Sequence, residues 1–471
     1  NANNVGAGPG GGGFWAGGGY GGPGGAGNGG AVYGSTNAPN DPGSGGGNGN
    51  GPNGGNGGGA VVIQATNVVI SGVITADGGP SSGGIYAGGG SGGSISIVCR
   101  TLAGTNGTIS ASGSTSQANG GGGGGGRIAT VYDSVAQSNL NQTARPTVTF
   151  AANGGRNGWG NRQNDGRPGS LYFTDSSFFP STNLQGGRVI IPGVTDYVFD
   201  TLSITNGMAL FEGVSLVVSN DLVVSSTYCG LELENSTLVV GRDLRVLGGL
   251  LNLGSAYFPR LTNLLHVGRD LLLTNAAWAS VYSGPTNGSA TEYYGALVSV
   301  TGSMAVAGDS WVYVYSVSTN GGSPVFRMSN LVVSASGGTN GGFYADRLGF
   351  AGSLDGVSIG YGPGSGKRFG GAGYGGLGGN SGTVNGTNYG WTYGSSNAPS
   401  EPGSGGGGGN GGSQYPGGSG GGLIRIEAGD SVTLNGKLTA NGGGGANLSA
   451  GGSGGCIWIR CLTFAGTNAT A

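Results

Sequence analysis

The run Gly34-Ser35-Thr36-Asn37-Ala38-Pro39-Asn40-Asp41-Pro42-Gly43-Ser44-Gly45-Gly46-Gly47 returns as Gly394-Ser395-Ser396-Asn397-Ala398-Pro399-Ser400-Glu401-Pro402-Gly403-Ser404-Gly405-Gly406-Gly407, 360 residues later. Other landmarks follow at nearly the same offset. Tyr20-Gly21-Gly22 matches Tyr374-Gly375-Gly376 at 354, and Ala103-Gly104-Thr105-Asn106 matches Ala465-Gly466-Thr467-Asn468 at 362. An offset that drifts by a few residues signals loop insertions in a duplicated unit. Residues from about 5 to 108 are thus copied by about 359 to 470. The chain opens at the start of one copy and stops inside the next, so a tandem repeat of about 360 residues is expected, continued in an array.

A finer rhythm runs inside the copy. Ala60-Val61-Val62-Ile63, Ser94-Ile95-Ser96-Ile97 and Arg127-Ile128-Ala129-Thr130 each follow a glycine run, spaced 34 and 33 residues apart. Alternating apolar residues bounded by Gly and Asn signal short strands. Strands too short to bury a face alone must stack on their neighbours, which is the logic of a solenoid. Between 185 and 340 the rhythm changes: Leu216-Val217-Val218-Ser219-Asn220-Asp221-Leu222, Leu238-Val239-Val240-Gly241-Arg242-Asp243-Leu244 and Leu265-His266-Val267-Gly268-Arg269-Asp270-Leu271 share one plan. Their Asp residues are 22 and 27 apart, about one coil of a parallel β-helix, and each is expected to cap its turn by accepting backbone N–H groups. His266 is expected outward and structural. Helix signals are nearly absent.

Glycine, 118 of 471 residues, decides what the remaining tracts can be. Glycine weakens ordinary strands, and without a strict Gly-X-Y period the chain is not collagen. Disorder fails because 36% of residues are hydrophobic and clustered, and because the tracts repeat their own aromatic and proline detail. Packed, polyproline-II-like layers are expected. The fold class is therefore all-β: a parallel β-helix or β-solenoid with glycine-rich layers. The organisation expected is a glycine-rich segment (1–59), a short-strand solenoid segment (60–150), a connector (151–184), β-helix coils (185–340), a second glycine-rich segment (341–422) and a second solenoid start (423–471).

Charge narrows the function. Charged residues are 8% of the chain, the net charge is -2, and Lys367 and Lys437 are the only lysines. Nucleic-acid binding, which needs clustered cations, is not expected. Neither is a membrane span, since no run of about 18 apolar residues occurs. The acids are scattered. Glu232 and Glu234, on one strand face near Arg242 and Arg245, are the densest pair, and solvated ion pairing is expected there rather than catalysis. No catalytic, cofactor or metal site is expected.

Two sets of side chains remain. Aromatic residues in the glycine tracts, Trp15, Tyr20, Tyr33, Tyr374, Tyr389 and Trp391, would suit stacking on sugars if exposed. Cys99, Cys456 and Cys461 are candidates for a disulfide between stacked modules, while Cys456 and Cys461 are too far apart along one strand to bond each other. The run from Gly59 to Ser134, with Ile95-x-Ile97, Gly107-Thr108-Ile109-x-Ala111-x-Gly113 and Gly123-Gly124-Gly125-Gly126-Arg127-Ile128, resembles the glycine-rich β-helical repeats of very large bacterial surface proteins such as autotransporter passengers and giant adhesins. The resemblance implies export, a cell-surface or extracellular location, and a structural or adhesive role. Partners expected are the same chain, continued or self-associated in a fibre, and glycans. A polysaccharide-degrading β-helix enzyme is the remote alternative.

Overall fold

A computed structural model describes residues 4–49, 54–82, 86–178, 183–227, 229–255, 263–285, 294–336, 339–353, 359–381, 388–409, 415–446 and 448–467. The protein is nearly all β, with most strands in parallel ladders. It divides into two compact units: Asn1–Thr195 with Leu202–Phe211 and Tyr228–Leu231, and Asp196–Thr201 with Glu212–Thr227 and Glu232–Ala471.

In the first unit, Ala60–Val69, Ser94–Ala103, Arg127–Val131, Ser170–Phe173 and Asn183–Ile190 stack in parallel in chain order. Their alternation places Val61, Ile95, Ile128, Leu171 and Val189 in one column, and Ile95 and Ile128 are fully buried. The return segments Val73–Thr75, Thr105–Ser110 and Thr147–Ala151 form a second parallel ladder. Ala60–Val69, Ser94–Ala103 and Arg127–Val131 each begin where a glycine tract ends.

Those tracts are ordered, and their hydrogen bonds repeat every three residues. Gly121 and Gly124 donate to Trp15 and Gly18, Gly122 and Gly125 to Asn164 and Arg167, and Gly123 and Gly126 to Ser114 and Ala111. The preceding tract does the same: Gly88 and Ser91 donate to Gly47 and Ser44, Gly89 and Gly92 to Gly121 and Gly124, Gly90 and Gly93 to Gly79 and Ala76. A β-strand alternates between two directions; three directions in rotation need a chain with three residues per turn. Every donor thus finds a carbonyl on a different neighbour, some parallel and some antiparallel. Ser91 apart, none of these tract positions has room for a side chain. A Cβ on Gly123 would lie 2.0 Å from the Gly90 oxygen, and one on Gly90 would lie 1.9 Å from that of Asn56.

One α-helix, Ser134–Thr143, departs from the expectation of no helix. Its Ser, Asn and Thr residues give it little propensity. Tertiary need supplies the reason. Of the strand Ser94–Ala103, Arg127–Val131 covers only Ser94–Val98, leaving the later half without that neighbour. Buried Gln137 stands in for one: its Oε1 accepts from Leu102 N at 2.8 Å and its Nε2 donates to Leu102 O at 3.0 Å. Asp133 caps the helix by accepting from Ala136 N at 2.9 Å.

Burial pushes the Asp165 carboxyl up to about 6, despite the Asn157 N–H and the positive charge of Arg156 and Arg162 nearby. A carboxyl whose folded pKa exceeds its unfolded value favours the protonated protein. Its contribution is complete below about pH 4 and is lost as pH rises through about 6. Asp165→Asn is therefore expected to flatten the fall of the thermal midpoint between about pH 4 and pH 7, a difference on the order of 2 kcal/mol against the parent. A titration of unfolding midpoints for both proteins checks this.

In the second unit the chain visits three parallel ladders in turn. The first carries the inward column Leu216, Leu238, Leu265, Val298, Phe326, Ile426 and Ile459. The second carries Leu222, Leu244, Leu271, Met304, Leu331, Val432 and Phe464. The third carries Leu251, Ala279, Val312, Phe343 and Leu438. All are buried except at the last layer, where Ile459 is half-buried and Phe464 is 59% exposed.

The aspartates between the first two ladders bond from coil to coil rather than within their own turns. Asp221 Oδ1 accepts from Asp243 N at 3.2 Å and Asp270 Oδ1 from Ser303 N at 2.7 Å. Asp243 instead takes the Arg269 and Arg245 guanidinium groups. The Arg269 hydrogen bonds, reinforced by Arg245, hold its carboxyl well below the usual carboxylate range. His266 is half-buried between inward Leu265 and Val267. Glu232 and Glu234 correct the sequence reading: they are buried, 1% and 4% exposed, not solvated. Arg242 and Arg245 turn to Asp221 and Asp243, so neither forms the expected pair with these acids.

Candidate functional site

The two copies make the same bonds. Tyr33 OH donates to Pro42 O at 2.5 Å and Tyr393 OH to Pro402 O at 2.5 Å. Ser44 Oγ meets Tyr33 OH at 2.9 Å and accepts from Gly10 N at 3.0 Å; Ser404 Oγ meets Tyr393 OH at 2.9 Å and accepts from Gly364 N at 3.0 Å. Ser44 N and Ser404 N donate to Ser91 Oγ and Ser453 Oγ, both at 2.8 Å. Gly34 and Gly394 share a left-handed φ, 73° and 79°, as do Gly8 and Gly362 at 101° and 98°.

This geometry decides which aromatics can meet a ligand. Tyr20 is fully buried, which corrects its expected exposure. It packs on Tyr33 with centroids 4.7 Å apart and planes at 54°, and Tyr374 packs on Tyr393 at 4.7 Å and 55°. These pairs brace the Pro-Gly-Ser corners, and burial pushes the Tyr393 hydroxyl up to about 12. Trp15 is 41% exposed but lies between Phe14 and Tyr86, each with its ring centroid 5.0 Å away. Trp391 is the most open of the set at 59%, with half-buried Tyr389 at 5.2 Å.

A larger aromatic group lies in the coils and escaped sequence reasoning. Trp278 and Tyr282 recur as Trp311 and Tyr315, 33 residues on, with Tyr313 between them. Trp278 stacks on Tyr313 at 4.3 Å and 18°, and Tyr282 on Tyr315 at 4.1 Å and 11°; Tyr344 continues the file 5.2 Å from Tyr313. That common spacing, one coil, was the available signal. Because these rings face each other along the ladder, they add cross-strand cohesion rather than a platform for a sugar.

All four cysteines are free thiols. Burial pushes Cys99 and Cys456 up to about 11, so both are protonated at neutral pH and poor partners for disulfide exchange. Cys456 lies against Tyr374, and Cys461 is half-buried.

The densest polar chemistry lies where the second copy stacks on the coils. Leu423–Leu434 adds in parallel to Pro324–Val333, and Lys437–Thr439 to Gly342–Tyr344. Arg327 Nε reaches Glu427 Oε2 at 2.8 Å, and Arg425 reaches Glu427 Oε1 at 2.5 Å. Burial alone would raise the Glu427 carboxyl, and the two guanidinium groups bring it below its ordinary value. Asn330 Oδ1 accepts from Ser431 Oγ at 2.6 Å. Asp346 Oδ1 accepts from Thr439 Oγ1 at 2.5 Å and from Asn441 N at 2.6 Å. Beside this seam lies a groove of about 400 Å³ lined by Arg327, Ser329, Glu427, Arg460 and Leu462. The arrangement fastens one layer to the next, with Glu427 held ionised between two arginines and Asp346 accepting from its neighbours across the layers.

Among the described residues, no group of three or more His, Cys, Asp or Glu side chains gathers to hold a metal ion, and no helix is long and apolar enough to cross a membrane. No protein-family model, curated protein or solved structure matches the chain.

Proposed function

We propose that this chain is a structural component of an extracellular filament, matrix or cell-surface layer, built from tandem units of about 360 residues. Each unit would be a β-solenoid whose coils include polyproline-II layers. One observation carries the reading: the hydrogen bonds of the first copy recur in the second at the sequence offset, and the second copy continues the parallel ladders of the coils before it. Such a stack gains stability from each neighbouring layer and so favours length. Sparse charge and backbone satisfied within the tracts suit a long-lived surface. Negatively stained native material should show thin filaments with a regular axial repeat. Compact monomers persisting at high concentration would count against the proposal.

A second reading, contact with glycans, is favoured by the exposure of Trp391, the most open of the candidate aromatics in the glycine tracts. Trp391→Ala should then lower binding on a glycan array about tenfold while leaving the thermal midpoint unchanged, as expected when one aromatic stacking contact is lost. Unchanged glycan binding would remove this reading.

A further inference from the structure

Two tyrosines in the coils face each other across adjacent layers. Trp278–Tyr282 and Trp311–Tyr315 run parallel and in register, so Tyr282 lies directly beside Tyr315, 33 residues on. The inward side takes Ala279, Val281, Val312 and Val314, all buried, and alternation turns both tyrosines outward, where each is half-buried. Their ring centroids stack 4.1 Å apart with planes at 11°, tighter than the usual spacing of strands. In-register rings so nearly parallel bring like atoms over like atoms, the carbon beside one hydroxyl over its counterpart. Other tyrosine pairs differ. Tyr20–Tyr33 and Tyr374–Tyr393 meet at 4.7 Å with planes at 54° and 55°, and the Tyr20 and Tyr374 hydroxyls are closed off from solvent. Tyr313–Tyr344 meets at 5.2 Å and 47°.

We propose that Tyr282 and Tyr315 are a site of oxidative coupling, joined by a carbon–carbon bond between their rings. The inference rests on the structural reading and gives it a covalent lock, in a chain whose four cysteines are all free thiols. The co-reactant is hydrogen peroxide acting through a haem peroxidase, which takes one electron and the hydroxyl proton from each phenol. The two phenoxyl radicals pair their electrons in a bond between the carbons ortho to the hydroxyls. Each of those carbons then gives up its hydrogen as a proton while its oxygen regains one. The protein loses two hydrogens in all, and one peroxide becomes two waters. Stacking decides the partner: a radical formed on either ring meets the other before it meets any ring in solution, the advantage of reactants held together. The outward position lets the rings swing from face-to-face to edge-to-edge as the bond forms. The new bond closes a loop over one coil and restricts the unfolded chain as a disulfide does.

The folded full chain, dilute and treated with a haem peroxidase and hydrogen peroxide, tests this by digestion with mass spectrometry and by dityrosine fluorescence. The expected product is a pair of peptides joined at Tyr282 and Tyr315 and short of two hydrogens, with the thermal midpoint of the oxidised protein raised by a few degrees. The denatured chain should give at least about tenfold less of it. Tyr282→Phe and Tyr315→Phe keep the stacked ring but remove the hydroxyl. Both should fold with thermal midpoints near the parent's and lose the product, whereas Tyr344→Phe should keep it. Coupling spread over other tyrosines, coupling only between chains, a product that survives either variant, or no coupled peptide at all would overturn the site. Regular filaments in native material together with no coupled peptide here would sink the cross-link and leave the structural proposal in place. The coupled peptide from a chain that stays monomeric would do the reverse.

Discussion

Gly123→Ala should abolish the folded state of the glycine lattice, at a cost of at least about 4 kcal/mol. The added Cβ would sit 2.0 Å from the Gly90 oxygen and 2.5 Å from its carbonyl carbon, backbone atoms that cannot rotate aside. Gly90 is itself locked, for it donates to Gly79, and its own carbonyl accepts from Ser114 N. Moving one segment by an ångström breaks bonds to three neighbours, and buried donors left unpaired cost about 1–3 kcal/mol each. Gly27→Ala is the control, since a Cβ there meets nothing within 4 Å. It should be neutral or slightly stabilising by restricting the unfolded chain. Thermal unfolding of the two variants gives the comparison.

Phe326→Ala should cost about 3–5 kcal/mol, the usual range for emptying a large aromatic site in a packed core. Phe326 is fully buried between Val298 and Ile426 in the first ladder and meets Phe343 edge-on at 5.2 Å and 87°. The cavity would open where the second copy stacks, so amides of Leu423–Leu434 should lose protection before those of Leu238 or Leu265. The neighbouring Arg327→Ala should cost no more than about 1–2 kcal/mol, because its ion pair with Glu427 is partly solvated and Arg425 still holds that carboxylate. If the two variants cost the same, the ladder core would not be what holds the copies together. Chemical denaturation with exchange measurements separates them.

Much of this architecture was legible because its periods are short. The spacing of 34 and 33 between Ala60, Ser94 and Arg127 is the register of the parallel ladder itself. The plan shared by Leu216-Val217-Val218, Leu238-Val239-Val240 and Leu265-His266-Val267 is likewise the register in which those strands stack. The helix was not legible, because Gln137 earns its place through two bonds to Leu102, a residue 35 positions away, and not through local propensity. The burial of Glu232 and Glu234 was hidden for a related reason: alternation predicts which side of a strand faces the core, but not what covers the other side. Tyr20 misled in the same way, since a glycine tract looks open in sequence and is close-packed in space. The paired rings Trp278 and Tyr282 with Trp311 and Tyr315 could have been found by extending the coil spacing to the aromatic residues.

Hydrogen exchange at Gly121 to Gly126 bears most directly on whether side-chain-free segments pile into a fixed lattice. Six consecutive glycine amides protected as strongly as those of Arg127–Val131 are the expected result. Exchange of that run at the rate of an unstructured peptide would contradict the account.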